Sequence, residues 1–167
     1  MCIFYTVEGE NAFQALLTPT MPATEIVPDL FGEQFIVDET GDFISSCTRF
    51  LAGSSSMDLA TANLLVHELG GLFIPSHVNR NAFGLIQVLG LIPPDLSPDA
   101  LEVSQHMKVS DYAQSFRKPL QFPLIQNGDV HYLTDFAGKT IYNLEAPTIQ
   151  EIKLALQGSM GRSFSII

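Results

Sequence analysis

Apolar positions along the chain change period several times, and each change marks an element boundary. Met1 to Val7 (MCIFYTV) is β-branched and aromatic and predicts a strand with no run-in. A polar break and a short amphipathic stretch, Asn11 to Leu17, follow. A chain that opens in mid-strand is expected to be the later part of a larger unit. Thr18 to Pro28 carries three prolines and no period, so it is expected to be a loop. Gln34 to Asp38 and Asp42 to Ser46, separated by Glu39-Thr40-Gly41, predict a small β-hairpin with the character of an insertion.

Ser55, Ser56 and Asp58 supply capping and first-turn charge for a helix whose apolar positions are Leu59, Ala62, Val66 and Leu69, and Gly70-Gly71 ends it. Leu72-Phe73-Ile74-Pro75 then reads as a strand buried on both faces, running out at Ser76-His77. The alternation repeats: a helix over Ala82 to Leu89, a strand over Ala100 to Ser104, a helix over Ser110 to Arg117 with Ser110 as cap, and a strand over Leu120 to Asn127. Thr140 to Leu144 adds a strand, Thr148 caps an amphipathic helix running to Gly158, and Arg162 to Ile167 closes the chain as a strand. This order predicts an α/β architecture with parallel strands. No internal repeat and no low-complexity segment is visible.

Composition adds an excess of apolar surface to this picture. Hydrophobic residues make up 46% and charged residues 16% of 167, with a mean hydropathy of +0.22, more apolar side chain than one small domain easily covers. A second copy of the chain, or the rest of the same fold, is expected to cover it. Net charge is −10, a sign that repels nucleic-acid backbone and anionic lipid, so free DNA or RNA is a poor match. Cys2 and Cys47 lie far apart and no basic leader precedes them, which is the pattern of a cytoplasmic protein without disulfides. Cys2 reads as a small buried hydrophobe. The longest apolar stretch, Ala82 to Ile92, is interrupted by Gly84, Gln87 and Gly90 and falls short of a membrane span.

Candidate chemistry is concentrated at two strand ends. Asp129-Val130-His131 follows a strand, where residues two apart share a side, and His77 stands at the end of a buried strand, where α/β sheets place their sites. Carboxylate oxygen and imidazole nitrogen suit zinc, manganese or iron, and three such ligands leave a position for reactive water. Spacing alone leaves the alternative open, since a D-x-H step or a His after a strand also serves as a hydrogen-bonded loop or core group. His67 lies beside the apolar stripe of its helix and reads as an exposed or capping side chain; His106 reads as surface. Ser54-Ser55-Ser56 lacks the glycine context of a serine nucleophile.

The ordered combination of motifs is more specific. HELGGLFIPSHVNRNAFGLIQVLGLIPPDLSPDALEVS (His67 to Ser104) resembles the PHP (polymerase and histidinol phosphatase) family of metal-dependent phosphoesterases, in which a glycine pair, an apolar strand, an Ala-His step and Asp-Arg-Pro precede a strand ending in Glu. LIQNGDVHYLTDFAGKTIYNLEAPTIQEIKLALQG (Leu124 to Gly158) resembles that family's Ser-Asp-Ala-His-Tyr-Leu segment with its following strand and helix. MCIFYT, with Phe31-Gly32 and Val37-Asp38, resembles the segment after the family's fifth ligand position. The resemblance covers essentially the whole chain as the C-terminal half of the domain.

That resemblance implies one partial domain over residues 1–167, with an insertion at about 18–55, forming the C-terminal portion of a distorted β/α barrel whose strand ends hold divalent metal ions. It implies His77, Asp129 and His131 as metal ligands, Arg80 as a phosphate contact or, equally, the holder of a neighbouring carboxylate, and Glu102 as a brace behind the ligands or an ordinary strand-end contact. The implied activity is hydrolysis of a phosphate ester on a phosphorylated small molecule by metal-activated water. The family's His-x-His pair, Thr-Asp-His step, Gly-x-Glu and a further His have no counterpart here. The expected chain is therefore weakly active alone, and requires a complementing N-terminal PHP segment, or forms a homo-oligomer. The alternative is a degenerate binding or scaffold protein of that fold, or a truncated product. Asn79 and Asn81 stand where the family has Asp and Pro, Gly128 where it has Ser, and Ser76 where it has Ala.

Overall fold

The first strand is shorter than the apolar run at the start of the chain predicts. In the computed structural model, which describes residues 1–115, 121–132, 134, 136 and 138–167, strand β1 spans only Cys2–Ile3. Thr6 takes an extended backbone and its hydroxyl accepts from the Gly9 N–H, so helix α1 (Val7–Leu17) begins at once and Val7 belongs to it. The segment expected as a loop contains a 3₁₀ turn at Thr18–Thr20 and leads into a short helix α2 (Pro28–Phe31). The hairpin forms as expected: β2 (Phe35–Val37) pairs antiparallel with β3 (Phe43–Ser46). Asp38 Oδ1 accepts the N–H groups of Thr40 and Asp42, both at 2.9 Å, and Gly41 supplies the left-handed residue of the turn at φ +89°.

Helix α3 (Leu59–Glu68) is capped by Asp58, whose carboxylate accepts from the Thr61 N–H at 2.7 Å. Ser55 and Ser56 do not cap it. Ser55 bonds the Thr20 hydroxyl and Ser56 the Thr20 carbonyl, tying the approach to α3 back onto the 3₁₀ turn. The buried side of α3 runs through Asn63 and Val66, and Leu59 sits at the exposed rim. Strand β4 (Leu72–Phe73) pairs antiparallel with β1. Helix α4 is confined to Leu85–Leu89, because Phe83 adopts φ +60° and Gly84 lies against the Arg80 backbone where a side chain would collide.

Strand β5 (Leu101–Val103) lies parallel to β6 (Leu124–Gln126), with Leu101 opposite Leu124 and Val103 opposite Gln126. Between them α5 (Val109–Ser115) starts one residue before Ser110, whose hydroxyl donates to the Asp111 carboxylate and does not cap the helix. The expected helix end at Arg117 and strand start at Leu120 lie outside the described residues. Strand β7 (Thr140–Asn143), helix α6 (Ile149–Leu156) capped by Thr148, and β8 (Ser163–Ile166) complete the order.

The sheets among the described residues are four two-stranded units, β1–β4, β2–β3, β5–β6 and β7–β8, and no closed barrel forms. Three bonds join the segment after β4 to β5: Asp99 N–H to Phe73 O, Glu102 N–H to Pro75 O and Val78 N–H to Glu102 O. The Thr140 hydroxyl bonds both backbone groups of Gln126 and links β6 to β7. The architecture is mixed α/β, with the expected parallel pairing present in β5–β6. Strands β7 and β8 are antiparallel. The chain turns back after α6 through left-handed residues at Gly158, Met160 and Gly161, Ser163 opposes Asn143, and the Arg162 guanidinium donates twice to Glu151 (2.8 and 3.0 Å) and pairs with Glu145.

Neighbouring residues of β4 and β5 feed two cores. Val66, Phe73, Val78, Leu101 and Val103 pack on one side, and Ile74, Ala100, Ile125 and Leu156 on the other. Asp99 fastens the layers together: its Oδ2 accepts the Phe73 N–H at 2.9 Å and meets His67 Nε2 at 2.8 Å, while Lys153 Nζ stands 3.8 Å from Oδ1. His67, expected to be an exposed or capping side chain, is half-buried in this joint. No helix among the described residues is long and apolar enough to cross a membrane.

The Arg162 hydrogen bonds hold the Glu151 carboxyl below its ordinary value, with the Glu145 N–H adding to the effect. A carboxyl lowered in the folded state contributes stability above its unfolded value, and that stability is lost as pH falls through the folded value. Glu151→Gln is expected to lower the melting temperature at pH 7 and to flatten its dependence on pH below about 4.5, as read by circular dichroism melts across the acid range.

Candidate functional site

The end of the strand row opens into a cavity of about 480 Å³, floored by Ile74, Ile125 and Tyr142 and edged by Ser76, His77, Glu102, Asn127, Gly128 and Asp129. The fold thus brings three of the sequence-predicted residues, His77, Glu102 and Asp129, to one concavity. Each arrives there by a different route. β4 and its buried extension end at Pro75, and His77 follows in a turn with φ +33°, a left-handed backbone that side chains adopt only when the surroundings enforce it. The enforcing bonds are Val78 N–H to Glu102 O and Arg80 N–H to His77 O, both 2.9 Å. Glu102 is carried in by β5. Asp129 comes from the loop after β6.

Glu102 is buried, and its Oε2 accepts from Asn127 Nδ2 at 3.2 Å. His77 Nδ1 is buried and has no hydrogen-bond partner, an uncompensated position for a ring nitrogen. Asp129 is partly exposed and faces Arg80, with Nη1 to Oδ2 at 3.2 Å. Arg80, expected as a phosphate contact, therefore holds a carboxylate.

His131 is placed differently. β6 ends at Gln126, so Asp129 and His131 lie on a loop without the alternation of a strand, and Asp129 takes φ +47°. The premise that the two side chains share a side through strand geometry does not hold. His131 is exposed, and its Nδ1 lies 2.7 Å from the Asp129 carbonyl oxygen. A carbonyl only accepts, so Nδ1 carries the proton, which in a neutral ring leaves Nε2 as the free lone pair. Among the described residues no group of three or more His, Cys, Asp and Glu side chains is arranged to hold a metal ion. Imidazole nitrogen and carboxylate are donor types that suit a divalent metal, but the described geometry does not gather them into a metal-holding group.

The departures from the family pattern have structural uses. Asn79 accepts the Ser104 N–H at 2.9 Å through Oδ1 and donates to Met107 Sδ through Nδ2, so it clasps the loop after β5. The Gly128 carbonyl accepts from Gln105 Nε2 at 2.6 Å, tying the loop after β6 to the loop after β5. Gln126, which sequence reading passed over, donates to the carbonyls of Ser104 and Met107, both at 2.8 Å. A long amide at the end of an otherwise apolar strand was the available signal for it.

Comparison with known proteins gives a fold likeness alone. No family model and no curated protein matches the chain. Among solved structures it is similar to the lesion-specific endonuclease PfuEndoQ from Pyrococcus furiosus, with a TM-score of 0.65 at 16% identity over 98% of this chain and 36% of that one. The chain spans about a third of the length of that endonuclease.

Two substitutions separate scaffold from site. Asn79→Ala deprives the Ser104 N–H of its acceptor and is expected to cost about 1–2 kcal/mol. Arg80→Gln breaks an exposed pair and is expected to change stability by less than about 1 kcal/mol. Urea denaturation midpoints at constant slope check both.

Proposed function

We propose that this chain is the later part of a PHP-type, metal-dependent phosphoesterase domain of distorted-barrel form, hydrolysing a phosphate ester only when further polypeptide completes its ligand set. The observation that carries the reading is the strand-end cavity, which gathers His77, Glu102 and Asp129 and leaves the buried His77 Nδ1 without a partner. The ordered motif resemblance and the fold shared with part of an endonuclease support it.

In this reading His77, Asp129 and His131 are three of the metal ligands, for zinc, manganese or iron. The described geometry does not complete such a centre, so no catalytic step is assigned to the chain alone. The parts its own residues would play are limited. Asn127 holds the Glu102 carboxylate in the cavity wall, the Asp129 carbonyl fixes the His131 tautomer with Nε2 free, and Arg80 screens the Asp129 charge. A phosphate entering the site would compete with Asp129 for Arg80. The substrate class is a phosphorylated small molecule in preference to nucleic acid, on the net charge of −10. Self-association belongs to the same proposal, because large apolar side chains such as Phe83 and Val88 are largely exposed.

A specific observation favours a second reading, a binding or scaffold protein of the same fold. The Arg80 cation occupies Asp129, and no three-ligand group is present among the described residues.

Hydrolysis of p-nitrophenyl phosphate and its bis ester with added manganese or zinc separates the two. The chain alone is expected at background. Added polypeptide carrying His-x-His and Thr-Asp-His motifs is expected to raise the rate at least tenfold, and Asp129→Ala to abolish the gain. No metal-dependent turnover in the combination would overturn the phosphoesterase reading, and turnover by the chain alone would eliminate the scaffold reading.

A further inference from the structure

Among the described residues, the β2–β3 hairpin keeps apolar side chains exposed. Phe35, Ile36, Val37, Phe43 and Ile44 are all close to half exposed or more, and Phe35 and Phe43 meet edge to face at 5.6 Å between ring centres. A two-stranded hairpin is marginal in water unless a further layer packs on it. At its base Gln34 Nε2 donates to the carbonyls of Cys47 and Arg49, and its Oε1 accepts the Leu51 N–H, so the hairpin is held in place without being buried.

The ionisable side chains within and just before the hairpin are all acidic. Glu33, Asp38, Glu39 and Asp42 flank the apolar residues, and no Lys, Arg or His precedes Arg49 in the sequence. Arg49, at the hairpin base, is a single cation against these four carboxylates, and its Nη1 donates to the Thr18 and Met21 carbonyls. Hydrogen bonds from the Thr40 hydroxyl and the turn N–H groups hold the Asp38 carboxyl below its ordinary value, which keeps it ionised. Apolar anchors inside a uniformly acidic rim have a definite complement. A second copy of the hairpin would set carboxylates against carboxylates. Phosphate backbone and anionic lipid would be repelled in the same way.

We propose that the hairpin Phe35–Ser46 is a docking surface for a partner protein segment of opposite character, an amphipathic stretch with apolar side chains flanked by lysine or arginine. The apolar contact supplies the affinity, and the acidic rim supplies steering and rejection of acidic competitors. The surface lies on elements separate from His77, Glu102 and Asp129, so the proposal stands independently of the phosphoesterase reading.

The test is fluorescence anisotropy of a labelled synthetic helix-forming Leu–Lys peptide with one apolar face, titrated with the full chain. Two controls accompany it: a scrambled Leu–Lys peptide of equal charge without that face, and a Leu–Glu counterpart. The expected result is binding of the first peptide at least tenfold tighter than either control, weakened at least tenfold by F35S/F43S and by E33Q/E39Q/D42N, and falling with added salt. Because Phe35 and Phe43 are exposed, the first variant is expected to keep the native circular dichroism spectrum and melting temperature. Unchanged binding by F35S/F43S, or equal binding of the scrambled peptide, would reduce the effect to general charge attraction and overturn the proposal. Sedimentation showing a dimer of the native chain that becomes monomeric in F35S/F43S would overturn it in favour of a second copy.

Discussion

The Asp99 carboxylate is the joint on which the arrangement of strands and helices depends. Nearly buried, it receives the Phe73 N–H from β4, His67 from α3 and, more distantly, the Lys153 ammonium from α6. An acidic side chain in so little water is tolerable only when its lone pairs are used, and here the partners come from three different elements. The placement matters for the site. His77 lies four positions after Phe73 and Glu102 three after Asp99, so the joint sets the register of both strand extensions that reach the cavity. Backbone bonds from Glu102 to Pro75 and Val78 then carry that register to the strand ends.

Local chemistry was readable in the sequence where it is decided locally. Helix α3 carries its own cap, Asp58, and its own stop at Gly70, and both act as their residue types predict. The hairpin turn at Asp38 to Asp42 is likewise complete within five residues. The early end of β1 turned on one hydroxyl, Thr6, which competes with the strand pattern around it. What escaped reading is contact between distant residues: His67 with Asp99, Asn63 with Ser97, and Arg162 with Glu151 have no local signature, and the last of these ties the start of β8 back to α6.

The candidate site follows the same division. His77 and Asp129 were legible as strand-end groups, and the fold brings them to one cavity. His131 was read through strand alternation, and the left-handed backbone at Asp129 removes that basis by ending the extended run. Polar groups around the cavity are otherwise satisfied in pairs, Asn127 with Glu102, Asn79 with Ser104, Gln105 with Gly128 and Arg80 with Asp129. Against that background the bare Nδ1 of His77 marks the point where a further group would complete the wall. The hairpin with its exposed apolar and acidic side chains is built from elements separate from that cavity.

A metal site in the strand-end cavity that includes His77 and Asp129 is decided by isothermal titration of the native chain with zinc, beside His77→Ala and Asp129→Ala. The expected result is binding by the native chain that each substitution weakens at least tenfold, with the fold unchanged by circular dichroism. Zinc binding that survives both substitutions, or none by the native chain, would contradict it.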